Sequence, residues 1–523
     1  MKSPVARLKL ITLLLIPVAI SLGYFGSSAS YTKSPEPGND VAQLLLIPVP
    51  FPTTGFDYPQ PASTVEQWVS TRNESRAREH GWYLWAGLNT PAPDGSPVWR
   101  TWPTSTQAFA KSGSGARALS GRPVNRQLSI NAKRLANAST TGKDPINFPN
   151  PPYYPIPSQV KQKYPQCVGP LTPAPDGVLV QQLLDGPTFQ NNGDIMVAGV
   201  IYDEDAFQWI RGQKLYLAQT LNNQMPIPPA TSAISPMPPG SIVLKPMMWP
   251  VQGSGYTAVP VWDDLNPDAD DGKYVGFEVQ KKWKRAVAVT PRPTSGIARA
   301  SATYLYGVYY NKMLGSKQIG PLTYKDAQVV PVQNFYYFRF PNLKTMASCD
   351  RAILDASAYW AYNREFRKDD FLVLVAMHVL TKEQPDWTFQ SVWWHDKPND
   401  GSYAANRPNI PVSQAPGPWR HYLLTSTYGI TQHPGGKQWP IAYNPYIELA
   451  ADHPIATNCM NCHHRAAWTA PPASYLAKGK GAPDALDVYS STNAIFNGLL
   501  TVDSIWSISD RAIAAGRLQG RGR

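Results

Sequence analysis

Proline sets the first limit on this chain: 53 of its 523 residues are Pro, about twice the ~5% of an average protein. Each Pro inside a helix removes a hydrogen bond and clashes with the preceding turn, at about 3 kcal/mol, so bundles of long helices are excluded. There is no repeat period and only one long apolar run, which excludes solenoids, coiled coils and polytopic membrane proteins. A chain 43% hydrophobic and 16% charged is too apolar for disorder, and its length suits two or three domains. With 17 Trp and 27 Tyr, the composition predicts short strands and ordered loops, the loops pinned to a core by large aromatic side chains.

The apolar run opens the chain. Lys2, Arg7 and Lys9 precede Leu10 to Leu22, and Gly26, Ser27, Ser28, Ala29 and Ser30 follow. This is the layout of a secretory signal cut after Ala29 or Ser30; Pro17 and the shortness of the run argue against an uncleaved anchor. The expectation is a periplasmic or otherwise exported protein, membrane-anchored only if that segment stays. Losing three basic residues lowers the formal charge from +12 to +9, which suits an acidic partner. No basic run interleaved with aromatics marks a nucleic-acid surface, and export argues against one.

Four cysteines remain, and the spacing of two is the most informative feature. Cys459-Met460-Asn461-Cys462-His463 is the C-x-x-C-H pattern of covalent c-type haem attachment. Two thiols three residues apart share one side of a helical turn and can form thioethers with the two haem vinyl groups, while His463 points its imidazole at the iron as proximal ligand. A zinc site would need a second ligand pair, which Cys167 and Cys349 do not provide. A thioredoxin-like pair would need a βαβ setting, which Pro-rich surroundings do not offer. His464 cannot also face the iron and reads as an exposed neighbour. Cys167 and Cys349 form either a disulfide or two buried thiols.

The expected organisation is a signal peptide (1–30), a Pro-rich lead-in with one helix and long loops (31–180), a β-rich body (181–440) and a small α-helical cytochrome c-like module (441–523). Ser63-Thr64-Val65-Glu66 reads as a capping box opening a helix to Leu88, with Trp68, Trp82 and Trp85 available for burial. Strand-like runs follow at Gly193 to Tyr202, Ser241 to Lys245, Tyr256 to Trp262, Tyr274 to Val279, Arg285 to Val289 and Tyr304 to Tyr310, the pattern of an antiparallel sandwich or barrel. Ser348 to Arg367 is the best internal helix. Phe371 to Val379 reads as a buried strand with Trp387 to Trp394 as its partner. Ser490 to Leu500 and Val502 to Leu518 read as helices.

The segments Met377-His378-Val379-Leu380-Thr381-Lys382-Glu383, Pro385-Asp386-Trp387-Thr388-Phe389 and Trp393-Trp394-His395-Asp396, with Asn461-Cys462-His463-His464-Arg465-Ala466 at the end, resemble a group of uncharacterised exported bacterial proteins. The resemblance spans roughly residues 190–510 and implies a β-rich body followed by a single C-terminal C-x-x-C-H site, with Cys459, Cys462 and His463 as haem ligands. It implies no activity. This chain has Trp394 where the group more often has an acidic residue before the His.

No zinc-protease helix, nucleophile elbow, phosphate loop or dinucleotide fingerprint is present, and catalytic residues are unknown. Asp263-Asp264, Asp369-Asp370 and Asp203-Glu204-Asp205 read as solvated turn residues rather than acid–base pairs or a calcium site. Three functions fit: a monohaem cytochrome c passing electrons to or from a partner, a haem oxidoreductase with a substrate pocket in the body, and a surface- or carbohydrate-binding module with a redox tail. The first asks least of the residues present. After His463 there is no Met and only His464, so a distal iron ligand must come from upstream: His453, Met377, His378, His395, His421 or His433. His378 and His395, near the ends of two strands expected to pair, are the favoured choices.

Overall fold

Why a Pro-rich chain can build a large sheet is visible in the strand Ile242–Val251, which carries Pro246 and Pro250. On one side it pairs antiparallel along its whole length with Phe371–Thr381. On the other side its neighbour is broken in two. Val197–Ala198 pairs with Met248 and Met247, Ile201–Tyr202 pairs with Leu244 and Val243, and Pro246 falls in the gap, where its carbonyl accepts from Gly199 N at 3.1 Å. A residue with no N–H to donate is thus placed where no ladder partner is needed. Pro260 lies in Thr257–Val261, an edge strand.

In this computed structural model the described residues are 48–110, 154–173, 179–263, 284–294, 296–306, 320–428, 442, 444–447, 459–468, 492 and 494–516. The expected signal, the expected strand Tyr274 to Val279, Asp264, His433 and His453 lie outside them. The body is β-rich. An eight-stranded antiparallel sheet has the path Tyr422–Tyr428, Thr388–Trp394, Phe371–Thr381, Ile242–Val251, Val197–Ala198, Gln190–Asn191, with Tyr337–Phe338 and Ile201–Tyr202 as side branches. A four-stranded sheet runs Arg299–Tyr304, Leu322–Pro331, Arg285–Thr290, Thr257–Val261 and contains one parallel pair. Both sheets and the helix Ser348–Tyr362 share the largest core. No described helix is long and apolar enough to cross a membrane.

Loop pinning by indoles is the main packing device. The buried rings of Trp82, Trp85, Trp394 and Trp419 donate Nε1–H to the carbonyls of Ala405, Trp419, Asn334 and Ala415 at 2.9–3.0 Å. A loop short of N–H groups still has carbonyls, and a buried indole must satisfy its own donor, so each supplies what the other needs. Cys167 and Cys349 form a disulfide that ties the lead-in to the start of the Ser348 helix.

Several expectations need correction. The first helix is two, Ala62–Ser70 and Glu74–Leu88, with Pro61 as the N-cap of the first in place of a Ser63 capping box and Arg72 in a left-handed conformation between them. The Ser348 helix stops at Tyr362 because Asn363 adopts the left-handed conformation that ends helices. Arg299–Tyr304 is a strand that the sequence reading did not mark, and the expected strand Tyr304 to Tyr310 lies mostly outside the described residues. Asp203-Glu204-Asp205 is no free turn: Asp203 caps the helix Glu204–Gly212 by accepting from Ala206 N. In the described part of 490–500, Ala494–Phe496 is a 3-10 turn and Leu500 begins a strand.

The described C-terminal residues are joined to the body. Ala467–Trp468 and Leu500–Thr501 form a three-stranded sheet with Ser232–Ala233 of the body. Cys459, Met460, Trp468 and Leu500 share a second core with Val243, Leu380 and Phe389 of the large sheet.

Asp370 is also corrected: it is buried, while Asp369 is exposed. Its carboxylate accepts from Arg364 at 2.5 and 2.7 Å, Arg367 N at 2.8 Å, Gly253 N at 2.8 Å and Tyr362 Oη at 3.1 Å. Asp370→Ala strands these donors and is expected to cost about 3 kcal/mol, against under ~0.5 kcal/mol for Asp369→Ala. Urea unfolding midpoints of the two variants check this.

Candidate functional site

Side chains alternate along the hairpin of Phe371–Thr381 and Thr388–Trp394. Met377, Val379 and Val392 enter the largest core, while Leu380 and Phe389, which pair across the hairpin, enter the second. His378 shares parity with Leu380, so it faces the second core, with Ser391 and Lys245 as its cross-strand neighbours. Met377, one residue away, points to the opposite side.

The C-x-x-C-H segment is delivered to this face. Residues Cys459–His463 form one helical turn, the conformation that the thioether spacing requires. Cys459 is buried, its Sγ 3.6 Å from Ala442 O. Ala442 belongs to a stretch fixed to the same sheet by Asn444, whose Nδ2 donates to Ser391 Oγ at 3.0 Å and Val392 O at 2.9 Å. Next to the motif, Arg465 is fully buried.

His463 is the best-defined member. Its Nδ1 lies 2.8 Å from Ser504 O; a carbonyl can only accept, so Nδ1 carries the proton and Nε2 keeps its lone pair. Although part of the residue reaches the surface, the ring sits among His378, Phe389 and His464. Loss of hydration, aided by the neighbouring His378, Lys245 and His464, pushes its pKa down to about 3, against the Ser504 bond. A neutral imidazole with one nitrogen anchored to a backbone carbonyl is the usual preparation of a metal-binding histidine.

The ring of His378 lies 6.0 Å from that of His463, centre to centre, at 65°. Phe389 is 5.4 Å from the His463 ring and 6.1 Å from that of His464. His464 turns away, its Nε2 3.3 Å from Asp386 O. His395 is placed elsewhere, with both ring nitrogens engaged: Nε2 donates to Trp262 O at 2.8 Å and Nδ1 accepts from Lys397 N at 2.9 Å. Beside it Asp396 and Asp263 hold Arg285. The carbonyl of His421 accepts from His395 N at 2.8 Å. His80, not singled out by spacing, joins a separate buried cluster with Tyr428 Oη at 2.7 Å and Glu383 Oε1 at 3.1 Å.

The sequence reading placed Ser504 inside a helix from Val502, but the helix starts at Trp506. Asp503 and Ser504 both adopt left-handed backbone conformations, φ 48° and 66°, which costs about 1–3 kcal/mol for each non-glycine residue. The polar pair between Val502 and Ile505 was the one available signal, since Asp tolerates that region better than most. Among the described residues no cluster of three or more His, Cys, Asp or Glu side chains forms a metal site by itself; the donor set here is two imidazoles beside a C-x-x-C-H turn. Compared with protein-family models, with curated proteins and with solved structures, the chain matches none.

Burial lowers the pKa of His395 below its ordinary 6.5 despite Asp396, and burial together with Arg407 lowers that of His421. The unfolded chain then binds protons that the folded one refuses. The stability these residues contribute is complete above pH 6.5 and is lost as pH falls through 6.5 toward their folded values, by up to about 1.4 kcal/mol per pH unit for each. Asp203 and Asp350, pushed by burial up to about 7 and about 6, act in the opposite sense, so the difference between wild type and a His395→Gln/His421→Gln variant is the quantity to follow. That difference is expected to depend on pH between 5 and 6.5 and to be flat above 7.5; denaturant unfolding across this range checks it.

Proposed function

We propose that this chain is an exported monohaem c-type cytochrome that carries electrons to or from a redox partner, with one haem bound through thioethers to Cys459 and Cys462. His463 is the proximal iron ligand and His378 the distal one. The supporting observation is the state of His463: it follows a helical C-x-x-C turn, its Nδ1–H is given to Ser504 O, and its other nitrogen keeps its lone pair beside the ring of His378. These residues fit the group in donor type and protonation state. His395 offers no such fit, because both its nitrogens serve the backbone.

When bound, the haem supplies a one-electron couple. The residues do the rest. Ser504 O fixes the tautomer and direction of His463 and raises its basicity. Phe389, Leu380 and Trp387 keep the surroundings apolar, which limits water and lets nearby charges act more strongly. Lys245, opposite His378 in the sheet, adds positive charge that favours the reduced state. Two imidazoles keep the potential below that of a Met-ligated site. Diffuse basicity of the chain suits an acidic partner, and the oxidising compartment suits the Cys167–Cys349 disulfide.

Visible spectroscopy of the purified protein tests this. The expected result is a pyridine haemochrome of c type, a low-spin oxidised spectrum that ignores cyanide, a dithionite-reduced spectrum that ignores carbon monoxide, a high-spin oxidised spectrum in His378→Ala and an unchanged one in His395→Ala. Thiol alkylation of the denatured, unreduced protein should find no free thiol when haem is attached and two when it is not. A protein made with haem available that shows no thioether-linked haem overturns the proposal, and a high-spin wild type that binds carbon monoxide moves it to the oxidoreductase class.

A further inference from the structure

We infer that Asp503 is a positioning residue for His463, held in place by Lys382 and Trp387. The redox consequence of this assignment rests on the haem site proposed above; its structural part does not.

The acceptor that fixes His463 is a backbone carbonyl, so its direction depends on the local chain. Asp503 and Ser504 are consecutive non-glycine residues in the left-handed region, a pair that relaxes toward ordinary conformations unless its surroundings hold it. The Asp503 carboxylate is where the holding occurs. Oδ1 accepts from Lys382 Nζ at 2.6 Å and Trp387 Nε1 at 3.1 Å, and Oδ2 accepts from Met237 N at 2.7 Å. Lys382 is itself fixed, donating to Pro385 O at 2.6 Å and lying 4.9 Å from the Trp387 ring centre. A charge-assisted bond from a buried ammonium to a partly buried carboxylate is among the stronger clamps available to a loop.

The source of the clamp gives it a function beyond stability. Lys382 directly follows the strand that carries His378, and Trp387 directly precedes the strand that carries Phe389. One hairpin therefore places the rings packed against His463 and, through its turn, the carbonyl that His463 bonds. Val502 N donates to Ala466 O at 3.0 Å, which ties the same loop to the residues just after the motif. Releasing Asp503 lets Ser504 O swing away while the His463 ring stays; Nδ1–H then loses its acceptor and the preference for that tautomer falls.

Histidine-selective nitrogen-15 NMR of the full chain without haem tests this, with the His463 signal assigned through His463→Gln. Wild type is expected as the Nδ1–H tautomer. Asp503→Asn and Lys382→Met are expected to raise the Nε2–H share by roughly five- to tenfold, the effect of one lost hydrogen bond, and Lys382→Arg to restore it. Asp370→Asn, which disturbs a buried carboxylate elsewhere, should leave His463 unchanged. In the haem-loaded protein, Asp503→Asn should shift the midpoint potential positive, because a weaker Nδ1–H bond makes the ligand less basic, and Asp370→Asn should not. A folded Asp503→Asn or Lys382→Met protein with the wild-type His463 tautomer overturns the assignment. If Asp503→Asn does not fold, Lys382→Met decides alone. Failure of the wild type to take up haem overturns the proposed function and leaves the NMR result to decide the role of Asp503.

Discussion

A strand with no exposed residue has two faces to commit, and Phe371–Thr381, buried along all eleven of its residues, commits them to different cores. Its odd positions at the C-terminal end belong to the core shared by both sheets; its even positions face the C-x-x-C-H turn. Because the side-chain period is two, a register slip of one residue exchanges the faces and takes His378 away from His463. The register is secured by partners on both sides and by an irregularity between Leu374 and Ala376, close to Pro246. Site geometry and core geometry thus depend on one set of pairings.

The prolines and the indoles belong to the same economy of donors. Every Pro removes a backbone N–H while leaving its carbonyl, so a Pro-rich fold holds a surplus of acceptors. Buried Trp rings are donors only. Composition alone makes this match foreseeable, and the bonds of Trp82, Trp85, Trp394 and Trp419 to loop carbonyls are how it is met.

Elements with a strong local signature were legible: the buried hairpin, the first half of the strand Ile242–Val251, the strand Arg285–Thr290 and the core of the Ser348 helix. Cys459, Cys462 and His463 stand out because the covalent attachment proposed for them permits so few spacings. Features set by distant partners were not legible. Asp370 is buried through Arg364 and Gly253, and nothing in Asp369-Asp370 distinguishes the second carboxylate from the first. Three acids in a row suggest a turn, yet the first of them caps a helix. The segment near Leu500 has helical spacing, but pairing with Ser232–Ala233 and Ala467–Trp468 outweighs local preference. His378 and His395 look equivalent on paper; only the three-dimensional fold engages both nitrogens of one and sets the other beside His463.

The disulfide between Cys167 and Cys349 spans 182 residues and has a bearing on how such a protein is made. The proposed role asks two of four cysteines to oxidise together and the other two to stay reduced until a cofactor reaches them. Order along the chain provides a simple way to sort them. Both disulfide partners precede the haem motif, so in a chain crossing a membrane from its N-terminus they meet an oxidising environment first. By the time Cys459 and Cys462 emerge, the earlier pair can already be closed, and each is then spent as a rival for the last two thiols.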